Sequence, residues 1–535
     1  MSIREQLVEA VTGALERCAG EGLLRREEAR VVELTTPGSA AQGDYCCDVT
    51  ALLARGSGRS AGEAARCVAE RLELPAGVAE VEASASGTLL FRLQPEALAG
   101  ILEAISSQGG DYGRSGRGEG GRAVHLEFVS ADPTAPLNAS HGRGAVFGDA
   151  LAGVLEWAGH RVTREFYLND AGSQVERFGR DLLTRARDVS PSGSGATEEQ
   201  HLQQLAAVVR ERLGASEGQS PEERLQAAID LGREAILESQ RETLARLRVE
   251  FDIWRSEREL RASGKVDEVL ARLRAAGHVY DQDGAVWLRT TTFGDDEDRP
   301  LVRSNGQPTY FLGDLAYHLD KAERGSELLV DIWGPEHAAY VGRTAAGLQA
   351  LGLPAETLRV LILQPVQVRS SSLGAEASPS SGNNVLLDEV IERVGVECAR
   401  FLYLSRPAGA ALSLPLGSDE AIPDADGLPR LRAVLARLRA LGAPVGTGGS
   451  EVPAEPAART LLRKLGELSD EVRAAAGELE PYRVARYLLE TATAADAFLG
   501  SVESAGPSPG QRRVAEAAAT VLANGLAVLD IRAHD

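Results

Sequence analysis

Tyr310 and Asp314 stand four residues apart in TYFLGDLAYH, which puts a phenol and a carboxylate on one face of a predicted helix. A carboxylate fork aided by a phenol or an aromatic face is the arrangement that best holds a planar guanidinium. Ordinary helix packing is the competing reading of the pair. A second chemical feature lies upstream, between Val124 and Gly172. There an apolar run (Val124 to Val129) predicts a strand and a Pro-rich stretch (Asp132 to Leu137) a turn. Ala145, Phe147, Ala150, Leu151, Val154, Leu155 and Ala158 then recur at helical spacing. Gly159 is a helix stop, and Arg161 to Tyr167 reads as a second strand. Such a βαβ unit presents free backbone N–H groups at a helix N-terminus, a general anion site suited to a nucleotide phosphate. Gly142-x-Gly144 falls inside the helix start rather than in a strand-to-helix turn, so close helix–sheet packing explains it better than a dinucleotide fingerprint.

These residues need scaffolds, and the chain is long enough to supply them. Its 535 residues predict about three domains of roughly 150 residues each. The 43% apolar content allows full cores, and no 18-residue apolar run suggests a membrane span. The start, MSIREQLVEAV, is amphipathic and unlike a signal peptide. Cys18, Cys46, Cys47, Cys67 and Cys398 show neither metal-type spacing nor a disulfide framework, so a reducing cytoplasm fits and no metal is expected. A net charge of −21 weighs against broad nucleic-acid affinity, although a local basic face can coexist with an acidic total. Lys265, Lys321 and Lys464 are the only lysines, against many arginines, so drift in this chain should replace Lys with Arg and keep the charge.

The literal residues carry more than the pattern. SADPTAPLNASHGRGAVFGDALAGVLEWAGH followed by YLNDAG resembles the nucleotide-binding signature region of arginyl-tRNA synthetases, whose turn reads roughly SANPTGPLHVGHGRGA. The run from VEFDIWRSERELRASGKVDEV to HLDKAERG, and LLVDIWGPEHAAYVGRTAAGLQALG after it, are similar to the same family. The likeness extends over the whole chain. It implies an α/β fold: a Rossmann-like parallel-sheet catalytic domain (119–407) with a helical insertion at about 174–264. An N-terminal α/β module like those that contact the tRNA elbow (1–118) precedes it, and a C-terminal all-α bundle of the anticodon-binding type (408–535) follows. On their own residues, the first module is equally readable as a packing domain and the last as a generic bundle.

By resemblance, the reaction is ATP-dependent activation of arginine and its attachment to tRNA, with Mg²⁺ accompanying ATP, in a monomer. Tyr310 and Asp314 match the guanidinium-binding pair, Asp132 replaces an Asn that holds the substrate's α-amino end, and His141, Tyr317 and Glu336 join the same cleft. Asn138 stands where the family has its first signature histidine and Ser140 where it has a glycine; His141 is retained. His141 and Asn138 are therefore the catalytic candidates, and Asn138, Ser140, His141, Gly334, Gly382 and Asn383 the ATP-binding ones.

The family's second signature, roughly KMSKRAGN, aligns on Gly382-Asn383 with Glu376, Ala377, Ser378, Pro379, Ser380 and Ser381, which carry no positive charge. Losing one oriented transition-state donor costs about 10²–10³ in rate. Arg369 is the nearest substitute cation, with a surface Arg and a flexible Ser/Gly loop as the alternative over 369–384. The bundle opens with the acidic GSDEAIPDADGLPR in place of an Asn-Pro, aromatic-rich helix, so base stacking has no evident provider. Three readings stand: a divergent arginine–tRNA ligase; a catalytically inactive paralogue binding an arginine-like ligand, tRNA or a protein partner; and a ligase repurposed for another acceptor.

Overall fold

The computed structural model describes residues 2–24, 31–37, 42–53, 59–115, 121–187, 198–214, 220–369, 385–415, 427–442, 452–502 and 506–533. The centre is a five-stranded parallel sheet whose spatial order is Leu358–Ile362, Leu328–Trp333, Ala123–Glu127, Arg161–Leu168, Ile253–Ser256. The chain starts in the middle, runs out to one edge, and later returns to build the other side. The switch falls between Ala123–Glu127 and Leu328–Trp333, and in an open α/β sheet ligands bind at the carboxyl ends of strands beside such a point. The helix Ala139–Trp157 and the helix Tyr310–Glu323 supply the flanking layers.

One register row of this sheet is unusual. Asp331 pairs with Glu127 and Glu127 with Glu165, so three carboxylates stand side by side on adjacent strands. Like charges placed directly opposite are destabilising unless neutralised. Neutralisation comes mostly from the helix Tyr310–Glu323 and the residue that follows it. Lys321, fully buried, bonds Glu127 and reaches Asp331 at 2.8 Å. His318 Nε2 is 2.7 Å from Asp331, and Tyr317 Oη donates to Glu165 at 2.7 Å. Arg324 donates to Glu165 at 2.6 Å, and His125 on the sheet itself lies 3.0 Å from the same carboxylate. With these partners the Glu165 carboxyl is lowered to about 2 despite burial that works the other way.

Before the central sheet, helices Ile3–Gly20, Ala61–Ala69 and Pro95–Gln108 accompany a three-stranded antiparallel sheet (Tyr45–Asp48, Thr88–Leu93, Val78–Ala83). Helices Ser173–Arg187, Glu198–Gly214 and Pro221–Arg246 pack together between two central strands. Toward the C-terminus come helices Gly427–Gly442, Pro456–Leu465, Leu468–Glu478, Tyr482–Val502 and Pro509–Val528. The periodic run ARTLLRKLGELSDEVRAAAGEL therefore folds as two helices, interrupted at Gly466-Glu467. A side chain at 466 would press on Ile101, so the break occurs where the bundle meets an N-terminal helix. Asn524 donates to the Gly109 and Tyr112 carbonyls, and Arg459 to Asp44 at 3.0 Å, joining the two ends of the chain. Fully buried Arg400 bonds Asp149 and the Leu247 and Leu529 carbonyls, tying sheet layer, preceding helices and bundle together. The Asp283-Gly284 pair, a dipeptide that favours a two-residue hairpin, forms one, with both residues at positive φ as a type I′ turn requires. Among the described residues no helix is long and apolar enough to cross a membrane.

Candidate functional site

The carboxyl ends of the parallel strands open into one cleft of about 850 Å³. Asp132, Asn138, Ser140, His141, Tyr310, Asp314, Tyr317, Gly334 and Glu336 all line it. Gly382 and Asn383, with Glu376 to Ser381, lie outside the described residues, as does the side chain of Arg369. Segments about 200 residues apart thus converge: the loops after Ala123–Glu127 and Leu328–Trp333 and the start of the helix Tyr310–Glu323 meet at one edge.

The loop after Ala123–Glu127 is strained where it enters the cleft. Val129 (φ 67°) and Ser130 (φ 40°) are non-glycine residues at positive φ, a conformation that concentrates at functional sites. Local bonds hold it: Ser130 Oγ donates to Glu127 at 2.8 Å and accepts from Tyr167 N at 3.1 Å. The Asp132 carboxylate accepts from Asn169 Nδ2 at 3.1 Å and from Gln174 Nε2. Both donors are neutral amides.

Asn138 caps the helix Ala139–Trp157. Its Oδ1 accepts from His141 N at 3.0 Å while its own N–H donates to His141 Nδ1 at 3.2 Å, a closed capping box. Burial lowers the His141 imidazole to about 4, so the ring is neutral near pH 7. With Nδ1 accepting, the ring proton sits on Nε2, leaving a neutral donor. The cap also revises the anion site expected at this helix start. Asn138 N donates to His141 Nδ1, Ala139 N to Val385 O at 2.9 Å, and His141 N to Asn138 Oδ1. Three of the first four amides are thereby satisfied within the protein. Ser140 Oγ is buried and has no partner among the described residues.

The glycines of this helix also divide differently from expectation. A Cβ at Gly142 would lie 2.5 Å from Leu387 and Tyr403 side chains, so it packs on later helices rather than the sheet. Gly144 meets only Val129 N, at 4.0 Å, and faces the cleft. Close helix–sheet approach belongs to Gly148, whose Cβ would collide with Phe128. At the opposite wall, a side chain on Gly334 would collide with the Glu336 carboxylate.

Tyr310 is 54% exposed at the cleft mouth. Asp314, one turn deeper, is half-buried, and no donor to its carboxylate is found among the described residues. Burial, with Glu257 and Glu127 nearby, raises its carboxyl to about 7. Tyr317 reaches the cleft only with its ring, tilted 36° against Tyr167 at 4.2 Å between centroids, because its hydroxyl is bonded to Glu165. Glu127, Tyr167, Asn169, Gln174 and Glu257 also line the cleft without having been singled out in the sequence. Of these, Glu127 carries a sequence signal, an acid inside the apolar strand run HLEFV.

A cleft of this kind, at the switch point of a parallel sheet, belongs to nucleotide-handling α/β proteins. Residues 103–331 match the family model of tRNA synthetases class I (R), catalytic domain, and residues 428–535 that of the DALR anticodon binding domain. The chain is 37% identical over 549 residues to the arginine--tRNA ligase of Frankia alni, with 99% of each chain covered. It is 33% identical over 551 residues to that of Carboxydothermus hydrogenoformans, again with 99% of each covered. Among solved structures, the arginyl-tRNA synthetase of Thermus thermophilus shares the fold with a TM-score of 0.78 at 22% identity, over 99% of both chains. The chain belongs to the arginyl-tRNA synthetase family.

Proposed function

We propose that this chain activates arginine with ATP and passes it to a tRNA 3′ end. One observation carries the arginine half: Asp314 is a half-buried carboxylate with no donor of its own among the described residues, in a cleft whose mouth carries Tyr310. A carboxylate in that state gains most from an arriving guanidinium, which offers paired donors and a fixed charge. Asp132 gives the ammonium end of the same ligand a second charged acceptor, and Glu336 closes the far wall.

For ATP, the chain offers the His141 Nε2–H, the Asn138 side-chain NH₂ and the unpartnered Ser140 hydroxyl, with open space over Gly144 and a turn at Gly334. Gly382 and Asn383 join this set by resemblance alone. Among the described residues no group of three His, Cys, Asp or Glu side chains is disposed to hold a metal ion, so Mg²⁺ would enter with ATP. The DALR-type match of residues 428–535 supports tRNA as the acceptor.

A second reading, a relative that binds arginine without activating it, is favoured by one specific observation. Among the described residues the cleft lining contains no Lys or Arg, and residues 370–384 contain none in sequence, so Arg369, whose side chain lies outside the described residues, is the nearest cation left for the pyrophosphate. Arginine-dependent ATP–pyrophosphate exchange, with and without tRNA, decides between them. Exchange at the rate of an ordinary synthetase overturns the second reading. Arginine binding by calorimetry without exchange, abolished in Asp314→Ala, overturns the first.

A further inference from the structure

The helix Pro221–Arg246 runs behind the cleft and contacts both loops that border it. Gln240, fully buried, donates its side-chain NH₂ to the Asp132 carbonyl at 3.0 Å and the Ala135 carbonyl at 2.9 Å. One turn later buried Thr243 Oγ1 donates to Asp388 at 2.9 Å, and Arg246 donates to the same carboxylate at 2.6 Å. Residues 240, 243 and 246 share one helix face. Asp388 lies in the first turn of the helix Leu387–Val394, directly after residues 370–384. The two loops are also bonded to each other. Ala139 N donates to Val385 O and Leu387 N to Leu137 O, both at 2.9 Å, around a bridge between Asn138 and Leu386.

These bonds close a ring: Gln240 to the 132–135 turn, the turn to Asn138, Asn138 to Leu386, and Asp388 back to Thr243. A buried NH₂ is costly unless bonded, and this one serves two carbonyls that no neighbouring backbone amide reaches among the described residues, while Gln240 Oε1 has no partner among them. Neither Gln240 nor Thr243 lines the cleft. We infer that Gln240 and Thr243 are positioning residues that hold the arginine end of the cleft (Asp132) and its nucleotide end (Asn138 to His141 and residues 385–388) in one frame. The kinetic part of this inference rests on the proposed ligase reading; the frame itself does not.

Two measurements on the full chain test it. In hydrogen–deuterium exchange, Gln240→Leu and Thr243→Val each speed exchange by about tenfold at the amides of both Ala139 and Leu387, as loss of a buried hydrogen bond in a shared frame requires. Thr243→Ser keeps the hydroxyl and restores the wild-type pattern. The double variant opens these amides little more than the stronger single one, because a ring is broken once. In pyrophosphate exchange, Gln240→Leu raises KM for arginine by about tenfold and Thr243→Val raises KM for ATP, with Thr243→Ser again restoring the wild type. Unchanged exchange at Ala139 and Leu387 in both variants overturns the inference. So does faster exchange spread evenly over the sheet with a matching fall in Tm. A wild-type chain without pyrophosphate exchange would sink the ligase reading, and the amide pattern would still decide the frame.

Discussion

Asp314 and Asp331 lie close together under one cleft and share neighbours, yet they are driven in opposite directions. Asp331 is fully buried between Lys321 at 2.8 Å and His318 at 2.7 Å, and its carboxyl is held well below the ordinary range. Asp314 has His318 on its backbone carbonyl only, no donor on its carboxylate among the described residues, and a carboxyl raised to about 7. Burial penalises both charges; a bonded cation reverses the sign for one. His318, with one nitrogen on each aspartate's segment, is raised as an imidazolium chiefly by Asp331 once burial is overcome. The floor is an ion network complete in itself. The carboxylate above it is incomplete, and that incompleteness is what a cationic ligand would fill.

The largest expected effect lies on the completed side. Lys321→Met strands Glu127 and Asp331 without their cation and should lower stability by about 3–5 kcal/mol in urea unfolding. On the incomplete side, Asp314→Ala should weaken arginine binding by about 100-fold or more in calorimetry. The same variant should leave Tm unchanged or raise it, since it removes a desolvated, unpaired carboxylate. A fall in Tm like that of Lys321→Met would erase the contrast.

The contrast sharpens with pH. Below about pH 7 Asp314 is protonated and neutral, and only its carboxylate pairs fully with a guanidinium. Arginine affinity should therefore fall by about tenfold per unit as pH drops below 7, and Asp314→Asn should flatten that dependence. Stability responds with the opposite sign. A carboxyl whose folded pKa is raised holds its proton better when folded, so its contribution is lost as pH rises from the ordinary carboxylate range to about 7. The smallest change concerns the cap: Asn138→Ala should cost about 1 kcal/mol of stability by opening the capping box.

How much of this was legible in the residues differs by feature. The βαβ unit, the Asp283-Gly284 hairpin and the Tyr310–Asp314 face followed from local periodicity and turn chemistry, which act over a few residues and so are written locally. The close approach at Gly466 was not, because its partner is Ile101, over 360 positions away. The two signature regions could be matched to the family residue by residue, but the roles of their atoms could not. The amides of Asn138, Ala139 and His141 are free by helix geometry alone and are satisfied in the fold by the capping box and by Val385.

The sequence by itself determined the family and the parallel α/β class with a helical C-terminal bundle, because motif order and hydrophobic period survive without coordinates. Only the tertiary structure decided which charges are compensated. Glu127, Glu165 and Asp331 are scattered acids in the chain and one row in the sheet. Lys321, one of three lysines in an arginine-rich chain, is the buried cation between two of them. Charge compensation depends on distances of about 3 Å between segments far apart in sequence, and no local pattern encodes such a distance.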